Sequence, residues 1–390
     1  MSEFAAQADR LALGAVDVLP AGGLAERLAQ GRPLRVKLGI DPTAPDIHLG
    51  HGVVLEKLRQ FQVEGHVVVL IIGDYTARVG DPSGRSSERP LLSPEQIEAN
   101  ARTFTEQAYK ILDRDATEIR FNSEWLEMPS VELFDLARRF TVARLLERDD
   151  FTKRMAASEP ISALELLYPV LQGYDSVAVG ADLELGGTDQ KFNLLFGRDV
   201  QGSYGRPQQS ILTMPILPGT DGKRRMSKSL GNYIGLTDEP AQMFGKLMSV
   251  PDDALAAYWT LLLGEELDPE RHPGQAKREL AHRLVERFAG PGHGERAEAR
   301  FDEVHVRHEI PADIPTVGLQ DGNEPVHMPA FLAGVFEISS SEARRLIKQG
   351  AVRLDGEPLA AGQLDLAAEA LKGHVVQLGK RRFVRVADPA

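Results

Sequence analysis

The stretch LRVKLGIDPTAPDIHLGHGVVLEKLRQFQVEGHVVVLIIGD, residues 34–74, decides the fold. Its first seven and last nine residues are short apolar runs with β-branched side chains, which are typical of strands buried in a parallel sheet. Between them, Val54, Leu55, Leu58 and Phe61 recur at helical spacing. The order strand, helix, strand predicts a βαβ unit.

The alternation of strands and helices continues beyond this unit. A helix is predicted to start at Ser93, a capping residue followed by Pro94, and the short strand EIRFN comes after it. Residues 130–178 have a mostly helical pattern. Two further buried strands are predicted at 182–187 and 210–217, with a helix between them.

The last third of the chain has a different pattern. It is helical from about residue 239, and the aperiodic stretch PADIPTVGLQDGNEPVHMP then separates it from the helix SSSEARRLIKQG and the strand AVRLDG. We therefore predict an α/β fold class with four segments: a Rossmann-like parallel-sheet domain (1–235), an all-α domain (236–312), a linker (313–328) and a small α+β module (329–390).

Composition excludes several classes of protein. The chain has 390 residues, 42% of them hydrophobic and 26% charged, so it can bury a sizeable core and is neither disordered nor fibrous. It contains no cysteine, which excludes disulfide scaffolds, cysteine-rich zinc modules, iron–sulfur clusters and thiol catalysis. The N-terminus lacks a signal-peptide pattern, and the strongest apolar run, Val67 to Ile72, is too short to span a membrane. These features predict a cytoplasmic protein.

Charge is unevenly distributed. The net charge of −12 argues against a nucleic-acid partner, because phosphates are bound by clustered Lys and Arg. Residues 331–390 nevertheless hold nine Lys and Arg against seven Asp and Glu. The C-terminal module is therefore a separate electrostatic region.

The first motif with chemical potential is His48-Leu49-Gly50-His51, between the first strand and its helix. Two imidazoles three residues apart at a helix start share one face and add donors to the free backbone N–H groups, which favours an anion such as phosphate. Taken alone, a pair of histidines that only caps the turn is an equal alternative. Zinc is disfavoured, since no further ligand stands at usable spacing.

The second motif is the basic, hydroxyl-rich loop Arg224–Asn232, which follows the last predicted strand. Such a loop can close over a polyphosphate, with Lys228 as a mobile point charge for oxygens that gain charge in the transition state. Taken alone, a solvated basic loop is the more frequent explanation.

Together, the two motifs resemble the signatures of class I aminoacyl-tRNA synthetases. His48 to His51 matches the HIGH signature, and Arg225-Met226-Ser227-Lys228-Ser229 matches KMSKS with arginine in place of its first lysine. GIDPTAPDIHLGH, GDPSGRSSER, LLYPVLQGYDS and LGGTDQKFN are similar in order and spacing to motifs of the bacterial tyrosyl-tRNA synthetases. The resemblance extends over essentially the whole chain.

The resemblance implies a set of site residues and makes residues 1–235 the catalytic domain. The catalytic candidates are His48, His51, Lys228, Arg225 and Thr43. The tyrosine-binding candidates are Asp81, Tyr168, Gln172, Asp175, Gln190 and Lys37. The candidates for ATP and adenylate are Gly39, Asp41, Gly50, Gly187, Asp189, Met226 and Ser227. ATP is a substrate that brings Mg²⁺ with it, and no resident metal is expected. Arg85 and Arg89 are further candidates for pyrophosphate.

Five of these candidates concern recognition of the amino acid, and Asp175 carries most of the tyrosine assignment. By resemblance, Asp81, Tyr168 and Gln172 surround the substrate ammonium, and Asp175 accepts a hydrogen bond from the substrate phenol. Lys37 stands where the better-known branch of the family has a tyrosine beside that phenol. Taken singly, each is more often a satisfied polar residue on a helix or turn.

The helical segment 236–312 is implied to recognise the anticodon, and the tail resembles an RNA-binding module shared with a small-subunit ribosomal protein. The implied tRNA contacts are Arg344, Arg345, Lys348, Arg353, Lys380, Arg381 and Arg382. A solvated basic face is the alternative for any single residue. The family resemblance also implies a homodimer with tRNA lying across both subunits.

The implied activity is the ligation of tyrosine to tRNA through tyrosyl-adenylate. Three alternatives stay open at this point: a tryptophanyl-tRNA synthetase, a non-catalytic RNA-binding relative that kept the fold, and a nucleotidylyltransferase of similar fold. The first would activate tryptophan, the second would not bind ATP, and the third would need neither amino acid nor tRNA.

Overall fold

The computed structural model describes residues 3–83, 92–306, 314–319, 325–379 and 382–387. This part of the chain divides into two compact units, Met1–Pro291 and Gly292–Ala390. Arg85, Arg89, Lys380, Arg381 and the side chain of Ser229 lie outside the described residues.

Within its described residues, the first unit contains a six-stranded sheet in the order β1-β6-β5-β2-β3-β4. The strands are β1 Asp17–Leu19, β2 Arg35–Ile40, β3 Val67–Ile72, β4 Thr117–Phe121, β5 Leu183–Gly187 and β6 Ser210–Met214. Strands β2 to β6 pair in parallel, and β1 runs antiparallel to β6. The strand order reverses between β2 and β5, the place where open parallel sheets bind ligands. The predicted α/β parallel-sheet fold is confirmed.

Helices cover both faces of this sheet, as expected for parallel strands. In the first unit they are α1 Glu3–Ala12, α2 Gly23–Leu28, α3 Leu49–Val63, α4 Thr76–Val79, α5 Pro94–Ala108, α6 Ser123–Leu126, α7 Ser130–Ala137, α8 Val142–Leu145, α9 Asp149–Ala156, α10 Ala163–Val179, α11 Lys191–Ser203, α12 Pro240–Met248, α13 Leu255–Tyr258 and α14 Pro273–Ala289. A π-helical turn, Trp259–Leu263, continues α13. Residues 68–72 of β3 have no exposed surface, which confirms a strand buried on both faces.

Helix α10 is the element that carries the specificity candidates. Ser162 caps its start by accepting a hydrogen bond from the Glu165 backbone N–H at 3.1 Å, and Gly180 ends it in the left-handed conformation with φ 62°. At Gly173, a Cβ would lie 2.5 Å from the side chain of Val200. The glycine therefore lets α10 approach α11 closely, which fixes the face that α10 turns toward the sheet.

One predicted strand boundary needs correction, and one strand was not predicted. Strand β6 ends at Met214, before the predicted end at residue 217, because Pro215 has no N–H to continue the ladder. The edge strand β1 was not predicted, since three residues are too few to display a period.

The described part of the second unit is a small α+β structure, as predicted. Its helices are α15 His293–His305, α16 Met328–Phe336 and α17 Ser340–Lys348. Its strands are β7 Thr316–Val317, β8 Val326–His327, β9 Val352–Leu354, β10 Glu357–Pro358, β11 Asp365–Leu366, β12 Val375–Leu378 and β13 Arg382–Val386. They form a sheet in the order β10-β9-β12-β13-β7 and a separate pair, β11-β8.

The predicted domain boundaries do not coincide with the division into compact units. The division falls after Pro291, inside the predicted helical domain, and the predicted linker 313–328 contributes β7 and β8 to the second unit. Helix α14 stays with the first unit because it packs there: Arg287 forms an ion pair with Glu56 on α3. Sequence periodicity does not contain this tertiary contact, so the functional domain assignment stays a prediction.

Candidate active site

A cavity of about 570 Å³ opens at the carboxyl ends of β2, β3 and β5, where the strand order reverses. All catalytic, tyrosine-binding and ATP-binding candidates except Lys37 line this cavity. Residues from segments more than 180 positions apart are therefore brought together, as the resemblance predicts. Their individual roles stay predictions.

The two histidines form a stacked pair in the cavity wall. The ring centroids of His48 and His51 are 3.9 Å apart and their planes are inclined by 23°. The His48 backbone N–H donates to His51 Nδ1 at 3.4 Å, which leaves Nε2 of a neutral His51 as the donor. Gly50 makes room for the stack, since a Cβ there would lie 3.0 Å from the His48 ring.

Burial sets the protonation state of this pair. It lowers the pKa of His51 to about 4. It also lowers the pKa of His48 far below the ordinary value, with smaller contributions from His51 and Arg225. Both imidazoles are neutral at pH 7 and can offer phosphate oxygens an N–H donor, but not a positive charge.

Backbone hydrogen bonds connect the two signature segments. The Leu49 N–H donates to the Ile234 carbonyl at 2.9 Å, and the Leu236 N–H donates to the Ile47 carbonyl at 2.9 Å. The chain that leaves the basic loop is therefore paired with the start of α3. This fixes one end of the loop against the histidine motif.

Ion pairs across the cavity mouth hold the basic loop. Lys228 Nζ donates to Asp46 Oδ2 at 2.7 Å, and Arg225 Nη1 donates to Asp189 Oδ2 at 3.0 Å. These four side chains keep between 27% and 48% of their surface exposed. Hydrogen bonding to Asp46 raises the pKa of Lys228, so this lysine is positively charged at pH 7.

The buried Asn232 organises the same loop from inside. Its Oδ1 accepts from the Ser227 backbone N–H at 2.9 Å, and its Nδ2 donates to Asp221 Oδ2 at 3.1 Å. At Gly219, a Cβ would lie 2.4 Å from the Asn232 amide. Sequence reasoning could not predict this role, because an Asn after Gly in a loop is ordinary turn chemistry.

Asp175 lies at the closed end of the cavity with only 3% of its surface exposed. Its Oδ1 accepts from Trp125 Nε1 at 2.8 Å, and its Oδ2 accepts from Asn122 Nδ2 at 3.4 Å. Burial raises the pKa of Asp175 to about 7, and the positive charge of Lys37 opposes this increase. Trp125 and Asn122 thus orient the carboxylate, a role that sequence reasoning missed.

Tyr168 is held through Asp41. The Tyr168 hydroxyl donates to Asp41 Oδ2 at 3.0 Å, and the Thr76 hydroxyl donates to Asp41 Oδ1 at 2.7 Å. Burial raises the pKa of Tyr168 well above its ordinary value, so the hydroxyl remains a donor. A Cβ at Gly73 would lie 2.1 Å from Asp41 Oδ1, which requires glycine there.

A chain of hydrogen bonds connects Asp81 and Gln190 to an arginine that sequence reasoning missed. Gln190 Nε2 donates to Asp81 Oδ2 at 2.7 Å, and Asn193 Nδ2 donates to Gln190 Oε1 at 3.0 Å. The Arg148 guanidinium donates to Asn193 Oδ1 at 2.9 Å and to Ser83 Oγ at 3.0 Å. Arg148 is only 3% exposed, yet in the sequence it stands in a run of charged residues typical of a solvated helix face.

Lys37 differs from the other tyrosine-binding candidates in its position. Lys37 is fully buried and does not line the cavity. Its Nζ lies 2.9 Å from Glu184 Oε1 and donates to Ser176 Oγ at 2.8 Å. The lysine is therefore paired with its counter-charge, Glu184 on β5, and its role in substrate binding stays a prediction.

In the second unit, the predicted RNA-binding residues on α17 lie on its exposed face, while Ala343 and Ile347 are buried. Arg344 and Lys348 belong to this face, and Arg345 pairs with Glu342. The other two described candidates have local partners. Arg353 donates to the Gly356 carbonyl at 3.2 Å, and Arg382 donates to the Phe336 carbonyl.

The described residues contain neither a membrane-spanning helix nor a cluster of metal ligands. None of the helices in this part of the chain is long and apolar enough to cross a membrane. Nor do these residues include a group of three or more His, Asp or Glu side chains that could hold a metal ion.

Comparison with known proteins gives consistent results. Residues 29–305 match the family model of tRNA synthetases class I (W and Y). The tyrosine–tRNA ligase of Moorella thermoacetica is 48% identical, covering 98% of this chain and 96% of that protein. The tyrosine–tRNA ligase of Bordetella pertussis is 51% identical, covering 93% of this chain and 90% of that protein.

Solved structures support the same fold. A C-terminally truncated mitochondrial tyrosyl-tRNA synthetase of Aspergillus nidulans superposes with a TM-score of 0.63 at 22% identity, covering 78% of this chain and 94% of that one. The tyrosyl-tRNA synthetase of Archaeoglobus fulgidus, solved with L-tyrosine, superposes with a TM-score of 0.62 at 21% identity. The match covers 76% of this chain and 99% of that one.

Proposed function

The chain belongs to the class I tRNA synthetase family for tryptophan and tyrosine, its function is that of a tyrosine–tRNA ligase, and we propose how its cavity performs the reaction. In the first step the tyrosine carboxylate attacks the α-phosphorus of ATP in line, and pyrophosphate leaves. In the second step the terminal ribose hydroxyl of tRNA attacks the acyl carbon, and AMP leaves. No protein nucleophile is needed.

Tyrosine binds with its phenol at the closed end of the cavity. Asp175 accepts a hydrogen bond from the phenol, oriented by Trp125 and Asn122. A ligand without the hydroxyl would leave this buried acceptor without its partner, which is costly. The requirement for a hydroxyl favours tyrosine over phenylalanine and over tryptophan.

The substrate ammonium binds between Asp81 and Gln172. Gln172 lines the cavity, and within the described residues its buried Oε1 has no hydrogen-bond partner. An unpartnered buried acceptor is rare in proteins and fits a cationic ligand. Tyr168 acts indirectly in this arrangement, because its hydroxyl donates to Asp41.

ATP binds at the open side of the cavity. The neutral His48 and His51 donate N–H groups to phosphate oxygens at the start of α3, which adds its own free N–H groups. Thr43, Gly39, Asp41, Gly50, Gly187, Met226 and Ser227 shape the nucleotide site. Asp189 is an acceptor for ribose hydroxyls. Lys228 and Arg225 leave their carboxylate partners and bind the phosphates as negative charge develops there. Mg²⁺ enters bound to ATP.

Transfer RNA binds to the basic face of α17, and the active form is a homodimer. Apolar surface supports the dimer: within the described residues, five of the twelve exposed large hydrophobic side chains stand on the consecutive helices α7 to α10. They are Val131, Phe134, Val142, Met155 and Leu164. Exposed apolar side chains on successive helices fit a subunit interface better than a solvated surface.

The observation that carries the mechanism is the meeting of both signatures and the α10 residues at one cavity. The test is ATP–pyrophosphate exchange without tRNA, with each amino acid in turn. Exchange with tyrosine alone is expected. Exchange with tryptophan would support the tryptophan enzyme, absence of ATP binding would support the non-catalytic relative, and exchange that needs no amino acid would support a nucleotidylyltransferase.

A further inference from the structure

A buried ion pair behind the cavity wall has no task in the mechanism above. Lys37 Nζ on β2 lies 2.9 Å from Glu184 Oε1 on β5, and at most 1% of either side chain is exposed. Burying two charges costs more desolvation than a hydrophobic pair of the same volume would. Stability alone therefore gives a weak reason for these residues.

The contacts of the pair lead directly to the cavity-lining Gln172. Glu184 Oε1 accepts from Gln172 Nε2 at 3.3 Å, and Lys37 Nζ donates to the Gln172 backbone carbonyl at 3.1 Å. Both also contact Ser176 Oγ, at 3.2 and 2.8 Å. The pair thus holds one residue of α10 by its backbone and by its side chain.

The chemistry of the carboxylate decides which way the Gln172 amide points. An ionised Glu184 can only accept hydrogen bonds, so the amide must present its NH₂ group to it. The amide oxygen is then turned away from Glu184, and this is the atom that has no partner within the described residues. The Lys37 ammonium compensates the charge of Glu184 inside the protein.

We propose that Lys37 and Glu184 are a positioning pair that fixes the Gln172 amide with its oxygen directed at the ammonium of the amino-acid substrate. The inference rests on the proposed role of Gln172. It also explains why a lysine at position 37 contributes to the site without touching the phenol. Without the pair, the amide can rotate and present its NH₂ group to the ammonium, which is repulsive.

The test compares two ligands that differ only in the ammonium: L-tyrosine and 3-(4-hydroxyphenyl)propanoate. A variant with one charge left would bury it unpaired, so the double variant Lys37→Met with Glu184→Met is used, and its folding is checked by circular dichroism. We expect its Kd for tyrosine to rise about 10- to 100-fold, while the Kd for the propanoate stays unchanged. If the Lys37→Met, Glu184→Met variant does not fold, the variant Lys37→Met with Glu184→Gln is used instead, because it retains more polar contacts.

A matched control is available between α9 and the start of α10. Arg154 and Glu165 form another buried pair, 2.6 Å apart, and neither lines the cavity. Arg154→Met with Glu165→Met should leave the ratio of the two Kd values unchanged. Equal weakening of both ligands by the Lys37 and Glu184 variant, or no change in either, would overturn the inference.

Gln172→Ala separates this inference from the proposed function. A selective loss of tyrosine affinity in Gln172→Ala, without one in the double variant, refutes the positioning pair and leaves the ammonium site standing. If Gln172→Ala shows no selective loss of tyrosine affinity, both the positioning pair and the ammonium site are refuted. In the double variant, adding Gln172→Ala should cost little more, because the amide is already misdirected.

Discussion

The closed end and the mouth of the cavity are built on opposite principles. At the closed end, Asp175 is 3% exposed and Gln172 is 8% exposed, and buried partners from the sheet and neighbouring helices orient both. At the mouth, Lys228 and Arg225 are more than a third exposed and pair with carboxylates that also lie in the cavity wall. One region is fixed before any ligand arrives, and the other can change partners.

The difference fits the roles proposed for the two regions. Recognition of a phenol needs a fixed acceptor, since discrimination depends on the cost of an unsatisfied buried group. Phosphate charge grows and moves during the reaction, so the groups that follow it need solvent access and weak initial contacts.

Lys228→Ala tests the mouth. We expect a loss of about 100- to 1,000-fold in the rate of adenylate formation with the Kd for tyrosine nearly unchanged, because the lysine acts on charge that develops only in the transition state. Stopped-flow measurement of adenylate formation gives the rate, and equilibrium dialysis gives the Kd. Lys223→Ala, an exposed lysine of the same loop, is the control and should change neither. Equal losses in rate and affinity would contradict the assigned role.

Asp175→Ala tests the closed end. Because the phenol loses its acceptor, we expect kcat/KM for tyrosine to fall roughly 100-fold, with the preference over phenylalanine largely lost. Pyrophosphate exchange with both amino acids measures this. Asp113→Ala, an exposed aspartate of the same unit, should behave like the parent protein. An unchanged preference would show that specificity resides elsewhere.

Arg148→Gln tests whether the closed end depends on its supporting hydrogen bonds. The variant loses the contacts to Ser83 and Asn193 that hold Asp81 and Gln190, so we expect the KM for tyrosine to rise about tenfold with a smaller change in kcat. Arg144→Gln on the neighbouring helix, whose ion pairs are exposed, is the control. A fall in kcat alone would exclude the positioning role.

The pH dependence of tyrosine binding tests the charge of Asp175. Burial raises its pKa to about 7, so the carboxylate takes up a proton as the pH falls from 8 to 6. Since the phenol needs an ionised acceptor, affinity for tyrosine should fall several-fold over this range, by at most about tenfold per pH unit. Titration calorimetry measures it, and Asp175→Asn should give a flat profile. A flat profile in the unaltered protein would contradict the assignment.

Asp46→Asn tests how weak the mouth contacts are. The pair with Lys228 is exposed and worth about 0–1 kcal/mol, so its removal should lower the KM for ATP by no more than about fivefold. The double variant with Lys228→Ala should show no benefit from the Asp46 change. A large increase in KM would mean that Asp46 contacts the nucleotide itself.

Much of the fold could be predicted from residues 34–74, because buried parallel strands and an amphipathic helix leave periods that a sequence displays. The two-residue strands β7 and β8 and the edge strand β1 are too short for any period. The unit boundary at Pro291 depends on the packing of α14 against α3, and no local pattern records that contact. Element types were thus more predictable than boundaries.

The candidate site divides in the same way. His48, His51 and Lys228 stand in motifs, so their place in the cavity could be expected. Arg148, Trp125 and Asn232 stand in stretches of ordinary composition, and only their buried hydrogen bonds reveal them. For Lys37 the sequence predicts the strand, but its ion-pair partner, Glu184 on β5, is found only in the folded chain.

The sequence by itself determined the fold class, the family and the candidate residues for a polyphosphate and a phenol, because these depend on local period and on motifs. Only the tertiary structure decided the direction of each side chain. Lys37 turns toward Glu184, and Gln172 turns its amide oxygen away from Glu184. Burial raises the pKa of Asp175 to about 7. Each of these depends on a charge or donor more than 10 residues away along the chain, and the distance and dielectric between such groups exist only once the chain has folded.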